Sequence, residues 1–75
     1  MAKHSTTIAG HRTSISLEEP FWQAVGEIAS EMDCSRTALI QIIDRNRTGE
    51  SNLSSAIRLF VLDWYRVGGR ARDQL

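Results

Sequence analysis

Between His11 and Trp22 the chain changes its side-chain period once, and that change constrains everything around it. In HRTSISLEEPFW, Arg12, Ser14 and Ser16 alternate with Thr13, Ile15 and Leu17. A repeat of two with β-branched and apolar residues on one side predicts a half-buried strand. At Glu18 the repeat stops. Glu18 and Glu19 bring negative charge to the positive end of a helix dipole. Pro20 fits a first helical turn, where an amide has no intrahelical acceptor, and Phe21 and Trp22 begin an apolar stripe. No other strand in the chain is so strongly patterned. Its backbone groups need partners, so it pairs with the residues before it, with a second copy of the chain, or with both.

The preceding residues offer two readings. Ser5–Ile8 can form a short strand that folds back on residues 11–14 through a tight turn at Ala9-Gly10, with Gly10 taking a positive φ. Residues 1–10 can equally be an arm with a glycine kink.

Three helices are predicted downstream. The first runs from about Glu19 to Met32, with Phe21, Val25, Ile28, Ala29 and Met32 on one face, Trp22 widening it, and Glu27 and Glu31 on the solvated side. Gly26 is a weak point within it, by about 1 kcal/mol relative to Ala. Asp33-Cys34-Ser35 is a break, and Ser35 is placed to cap a second helix over about Arg36–Arg45. Leu39, Ile40, Ile42 and Ile43 cover much of that helix. Asn46–Ser51 (NRTGES) is a polar loop, and Asn52 a second capping residue. The third helix, about Leu53–Val67, carries Leu53, Ala56, Ile57, Phe60, Val61 and Trp64 as a stripe, with Leu59, Leu62 and Tyr65 off it. A helix apolar nearly all round is covered on two sides. Gly68-Gly69 ends it, leaving RARDQL as a polar tail.

At 75 residues the chain is one domain, too small to bury a large core without help. A single cysteine, Cys34, forms no internal disulfide, and the ligands for a structural metal are not clustered. Oligomerisation remains as the usual device, so a homodimer is expected. No apolar run approaches the ~20 residues of a membrane span, and MAKHSTT lacks the apolar core of a signal peptide, which suggests a cytoplasmic protein. The net charge is zero, but unevenly spread. Residues 1–17 hold Lys3 and Arg12 and no acid, whereas residues 18–34 hold Glu18, Glu19, Glu27, Glu31 and Asp33 and no Lys or Arg.

Catalysis finds little support. His4 and His11 have no carboxylate or thiol at a useful spacing, and no phosphate loop or nucleophile motif occurs. No catalytic residue, cofactor or metal site is expected. The polar strand face is sharper. Two copies of Arg12–Leu17 paired about a twofold axis would bury Thr13, Ile15 and Leu17 and present Arg12, Ser14 and Ser16 outward. A two-stranded ribbon of this kind fits the DNA major groove. The helix starts at Ser35-Arg36 and Asn52 are further places for a phosphate. An ordinary solvated face and plain capping would look the same.

The string RTSISLEEPFW, the apolar stripe after it and CSRTALIQIID resemble the ribbon-helix-helix superfamily of bacterial DNA-binding proteins over residues 11–45. More closely, TIAGHRTSISLEEPFW with NLSSAIRLFVLDWYR is similar to bacterial ribbon-helix-helix domain proteins over residues 7–66. The resemblance implies an obligate dimer whose paired strands enter the major groove. Arg12, Ser14 and Ser16 match the base-reading strand positions, and Ser35 and Arg36 match the phosphate-contacting start of the second helix. The third helix is an addition, and NLSSAIR also resembles a second-helix start, so helix 2 and helix 3 both remain candidates for the dimer core. Two serines replace longer reading side chains, and the chain is not basic.

The expected molecule is therefore mainly α: an N-terminal strand or hairpin, then three helices, in an intertwined homodimer. Residues 1–10 form the arm or first hairpin strand, residues 11–67 the ribbon-helix-helix domain, and residues 68–75 the polar tail. The dimer core is expected at Ile15, Leu17, Ile57, Phe60, Val61 and Trp64. The expected function is sequence-specific binding of double-stranded DNA, as a transcriptional repressor or an antitoxin-like regulator with a protein partner. The rival is a dimerisation or interaction module that keeps the fold without reading DNA.

Overall fold

The computed structural model describes residues 2–47 and 52–73, with side chains from Lys3 to Arg47 and from Asn52 to Gly68. The order is β1 (Ala2–Ile8), β2 (His11–Leu17), α1 (Glu19–Glu31), α2 (Arg36–Asn46) and α3 (Leu53–Asp73). The strands form a two-stranded antiparallel sheet, pairing Ile8 with His11 at the turn and Ala2 with Leu17 at the far end. Of the two readings for the N-terminus the hairpin is observed, three residues longer than Ser5–Ile8. Ala2, Lys3 and His4 are poor strand formers alone, but β2 offers each of them a hydrogen-bonding edge. Ala9 (φ 51) and Gly10 (φ 81) both lie in the left-handed region. This is the backbone of a two-residue turn whose twist matches that of the strands.

The break between the first helices has a defined geometry. The Asp33 N–H donates to Ser30 O and the Cys34 N–H to Ala29 O, with Asp33 at φ 61. These two bonds close a Schellman motif, and Asp tolerates the left-handed conformation better than most residues. Ser35 then caps α2, its Oγ accepting from the Ala38 amide at 3.0 Å. Asn52 caps α3 in the same way, Oδ1 accepting from Ser55 at 2.8 Å.

The core joins Ile15 and Leu17 of β2 to Val25, Ile28 and Ala29 of α1, Leu39, Ile40 and Ile43 of α2, and Ile57 and Val61 of α3. Burying a Leu or Ile side chain is worth about 1.5–3 kcal/mol relative to exposure. Phe21, Trp22, Phe60 and Trp64 pack half-buried at its margin. Met32, expected on the α1 stripe, is 39% exposed as the C-cap residue. One expectation is corrected. α3 does not stop at Gly68-Gly69 but continues to Asp73; a glycine inside a helix costs about 1 kcal/mol and does not by itself break it. Arg70–Asp73 of the expected tail is thus helical. The expected polar loop begins inside α2 at Asn46, and its residues 48–51 lie outside the described residues, as do Met1 and residues 74–75.

Candidate nucleic-acid interface

The register decides which side chains share a face of the hairpin. Residues directly opposite one another project to the same side. Ile8, Thr6 and His4 therefore share a side with His11, Thr13, Ile15 and Leu17; toward Leu17 that side is buried against the helices, whereas His11 and Thr13 near the turn are exposed. Ile15 is 4% exposed and Leu17 fully buried. The outer side carries Arg12, Ser14 and Ser16 from β2, as the alternation predicts. It also carries Lys3, Ser5 and Thr7 from β1. Lys3, Ser5, Arg12 and Ser14 are exposed; Thr7 and Ser16 are half-buried. The result is a polar ribbon with two cations, four hydroxyls and no acid.

Lys3, Ser5 and Thr7 were not singled out from the sequence. Their signal is a second period of two, Lys3-x-Ser5-x-Thr7, ending at the Ala9-Gly10 turn. It is weak because the residues between them, His4 and Thr6, are not plainly apolar. Both nevertheless turn inward. Thr6 is buried, and the His4 ring stacks on Trp22 with centroids 4.1 Å apart and planes 6° apart. His4 Nε2 lies 3.5 Å from Glu19 Oε2, without hydrogen-bond geometry.

Each edge of the hairpin meets a helix. A two-residue turn makes Ile8 and His11 a hydrogen-bonded pair, so Thr7 and Ser16 turn their carbonyls away from the partner strand. Gln41 Nε2 of α2 donates to Thr7 O at 3.2 Å, and Ser54 Oγ of α3 donates to Ser16 O at 2.7 Å. A further tie joins the start of α1 to α3. Arg58 Nε donates to Glu18 Oε1 at 2.8 Å. That hydrogen bond, helped by Glu18's own backbone amide, holds the Glu18 carboxyl below its ordinary value of 4.5. Arg47 Nε similarly donates to Asp44 Oδ1 at 2.7 Å. Beside β2, Thr13, Ser14 and Ser16 share a groove of about 570 Å³ with Arg47, Asn52 and Arg58.

Ser35 and Arg36, the expected phosphate contacts, sit against α1. Arg36 Nε donates to Trp22 O at 3.3 Å, and its guanidinium carbon lies 5.0 Å from the Trp22 ring centroid. Gly26 makes room for it: a Cβ there would lie 2.3 Å from an Arg36 guanidinium nitrogen. The weak point in α1 is therefore a seat for an arginine from α2.

Of the residues expected in a dimer core, Ile15, Leu17, Ile57 and Val61 are buried within one chain. Phe60 and Trp64 are half-buried and stack with centroids 6.3 Å apart. Among the described residues of α3 the exposed large apolar ones are different: Leu59 (64%), Leu62 (51%), Tyr65 (39%) and Val67 (61%). Leu59 and Leu62 line a largely apolar groove of about 580 Å³ with Ile42 and Ile43 of α2 and Phe60 of α3. Cys34 is half-buried with a free thiol. Among the described residues no group of His, Cys, Asp and Glu could hold a metal ion, and no helix is long and apolar enough to cross a membrane.

The model of one family, described as a ribbon-helix-helix domain, matches residues 1–65. Such domains are typically DNA-binding regulators rather than enzymes, and they usually dimerise. No curated protein and no solved structure gives a match.

Proposed function

Because the chain belongs to the ribbon-helix-helix domain family, we propose that it binds double-stranded DNA sequence-specifically, as a transcriptional repressor or antitoxin-like regulator in the bacterial cytoplasm. The observation that carries this reading is the exposed polar hairpin face, cationic at Lys3 and Arg12, backed by an apolar core that holds it in place. Arg12, Ser14 and Ser16 are the proposed base contacts. Arg presents a fork of donors suited to guanine, and a serine hydroxyl donates or accepts at any base edge. Ser35, the first amides of α2 and Arg36 are the proposed phosphate contacts, where a helix N-terminus favours an anion.

A homodimer is part of the proposal. The surface assigned here to a second copy is the apolar side of α3 with its groove against α2. Sedimentation equilibrium at micromolar concentration is expected to give twice the chain mass.

The direct test is binding of the purified protein to genomic duplex fragments over a range of salt. Affinity should fall as salt rises, because neutralised phosphates release counterions. Arg12→Ala should weaken binding by roughly 1–3 kcal/mol per contact and relax sequence preference if Arg12 reads a base. Absence of binding at low salt would refute the reading. The α2–α3 groove favours a second one, a module that docks another protein without touching DNA; a co-purifying partner together with no DNA affinity would point there.

A further inference from the structure

We infer that β1 stands in for the β2 of a second copy of this chain. It holds the partner's place beside β2 in the single chain, and it is displaced when two chains pair β2 with β2. The inference rests on the homodimer proposed above and stands apart from the DNA reading.

The two strands carry one pattern. In chain order, β1 reads KHSTTI from Lys3 to Ile8, and β2 reads RTSISL from Arg12 to Leu17. Each string opens on a cation, sets hydroxyls at its third and fifth positions and closes on an aliphatic side chain. The register makes this likeness geometric. Lys3 lies opposite Ser16, Ser5 opposite Ser14, and Thr7 opposite Arg12. Two copies of β2 paired antiparallel about an axis at Ser14 would set Ser16 opposite the partner's Arg12, Ser14 opposite the partner's Ser14, and Arg12 opposite the partner's Ser16. β1 therefore runs where that second β2 would run, with Lys3 for arginine, Ser5 for serine and Thr7 for serine. It uses the same backbone groups. A two-residue turn makes Thr13 and Ile15 the residues of β2 that bond to β1, and the twofold axis would bond each of them to the other's copy.

On the inward side β1 is the poorer copy. Thr6 takes the position of the partner's Ile15, and His4 that of the partner's Thr13. Thr6 is buried, and neither its Oγ1 nor His4 Nε2 has a hydrogen-bond partner. A buried polar atom left unpaired works against the arrangement that buries it. An isoleucine in place of Thr6 brings apolar surface and no orphaned hydroxyl. Closing the hairpin also puts Ala9 in the left-handed region at φ 51, where an alanine is strained. Against these stand the stack of His4 on Trp22 and the bond from Gln41 to Thr7 O, which latch β1 in the single chain. β1 thus covers the edge of β2 and yields it to a strand that fits better. Exchange also keeps the sheet two strands wide. A second β2 added outside the hairpin would make four, with the outer strands about 14 Å apart, against a major groove about 12 Å wide. After exchange, Arg12, Ser14 and Ser16 of both chains share the outer face.

The test ties β1 down, and separately improves it, in the full chain. With Cys34→Ser throughout, the double change Ser5→Cys/Ser14→Cys puts two thiols on a facing pair of the hairpin. At a pair without mutual hydrogen bonds the Cα atoms lie about 4.5 Å apart, within reach of a disulfide. Oxidation at low protein concentration then locks β1 onto β2. Sedimentation over a dilution series measures the dimer dissociation constant. The oxidised protein is expected to dimerise roughly tenfold or more weakly than the same protein reduced. Thr6→Val removes the orphaned hydroxyl and makes β1 the better strap, so it should weaken the dimer roughly threefold or more. A locked chain that dimerises as tightly as its reduced form overturns the inference, because β1 then stays beside β2 in the dimer. A Thr6→Val chain that dimerises as the parent does overturns it as well, because β1 then does not compete. A parent that is monomeric at every concentration overturns the homodimer itself, and the exchange with it.

Discussion

Replacing Gly26 by Ala should leave stability nearly unchanged, and the reason is an arginine from another helix. Gly26 lies inside α1, where Ala is ordinarily favoured over Gly by about 1 kcal/mol. The added methyl would stand 2.3 Å from one Arg36 guanidinium nitrogen and 2.5 Å from the guanidinium carbon. Those atoms end a flexible side chain, so they move rather than distort the helices. Moving them breaks the 3.3 Å hydrogen bond to Trp22 O and the contact with the Trp22 ring. Both are exposed, and each is worth about 0.5 kcal/mol there. Gain and loss cancel to within about 0.5 kcal/mol. In an Arg36→Ala background nothing has to move, and Gly26→Ala should stabilise by the full ~1 kcal/mol. The coupling between the two positions is then about 1 kcal/mol. Urea denaturation of the four proteins, followed by circular dichroism at one fixed protein concentration, measures it. The cycle also cancels Arg36's own unfavourable place at the positive end of α2. Equal stabilisation in both backgrounds would mean that Arg36 does not occupy the seat over Gly26.

Three further outcomes are expected. Ile15→Ala should cost about 2–4 kcal/mol through lost burial and a cavity, whereas Ser14→Ala should stay within about ±0.5 kcal/mol; similar losses in urea titrations would mean that the strand faces are assigned the wrong way round. Ala9→Asn should raise stability by about 0.5–1 kcal/mol, since Asn tolerates the left-handed conformation that Ala9 holds at φ 51; an unchanged unfolding midpoint would contradict the two-residue turn. The Glu18 carboxyl is held below 4.5 by Arg58, so its contribution is present above that pH and lost as pH falls through the lowered folded value. The stability gap between the parent and Glu18→Gln should therefore close on acidification, and a gap that stays constant from neutral to strongly acidic pH would remove Arg58 as the cause.

The β2 faces, the start of α1 and both helix caps were legible because each depends on neighbouring residues alone. Alternation needs only the order of Arg12 to Leu17, and a cap needs only Ser35 or Asn52 before a helical stripe. What escaped depends on approach between distant segments. Gly26 reads as a defect until α2 brings Arg36 over it. The choice between a partner strand in the same chain and one in a second copy could not be made from β2, whose pattern serves both. The turn at Ala9-Gly10 supplies the partner in the same chain, although alanine hides a left-handed position that asparagine would have announced. Gly68-Gly69 misled in the opposite direction: propensity predicts a stop there, and α3 runs through it. The half of the hairpin face contributed by Lys3, Ser5 and Thr7 stayed unread because His4 and Thr6, which turn inward between them, are not plainly apolar.

The loop joining β1 to β2 is only two residues long, and this sets the kinetic order of the strand pairing. Strands from separate chains meet in a second-order step that slows on dilution and reverses below the dissociation constant. Strands tied by Ala9-Gly10 meet in a first-order step, on the order of 1–10 μs for a hairpin. The tether holds each strand at an effective concentration on the order of millimolar relative to the other. The paired strands therefore persist at copy numbers where a dimer has come apart, and a newly made chain carries its ribbon before it has met another.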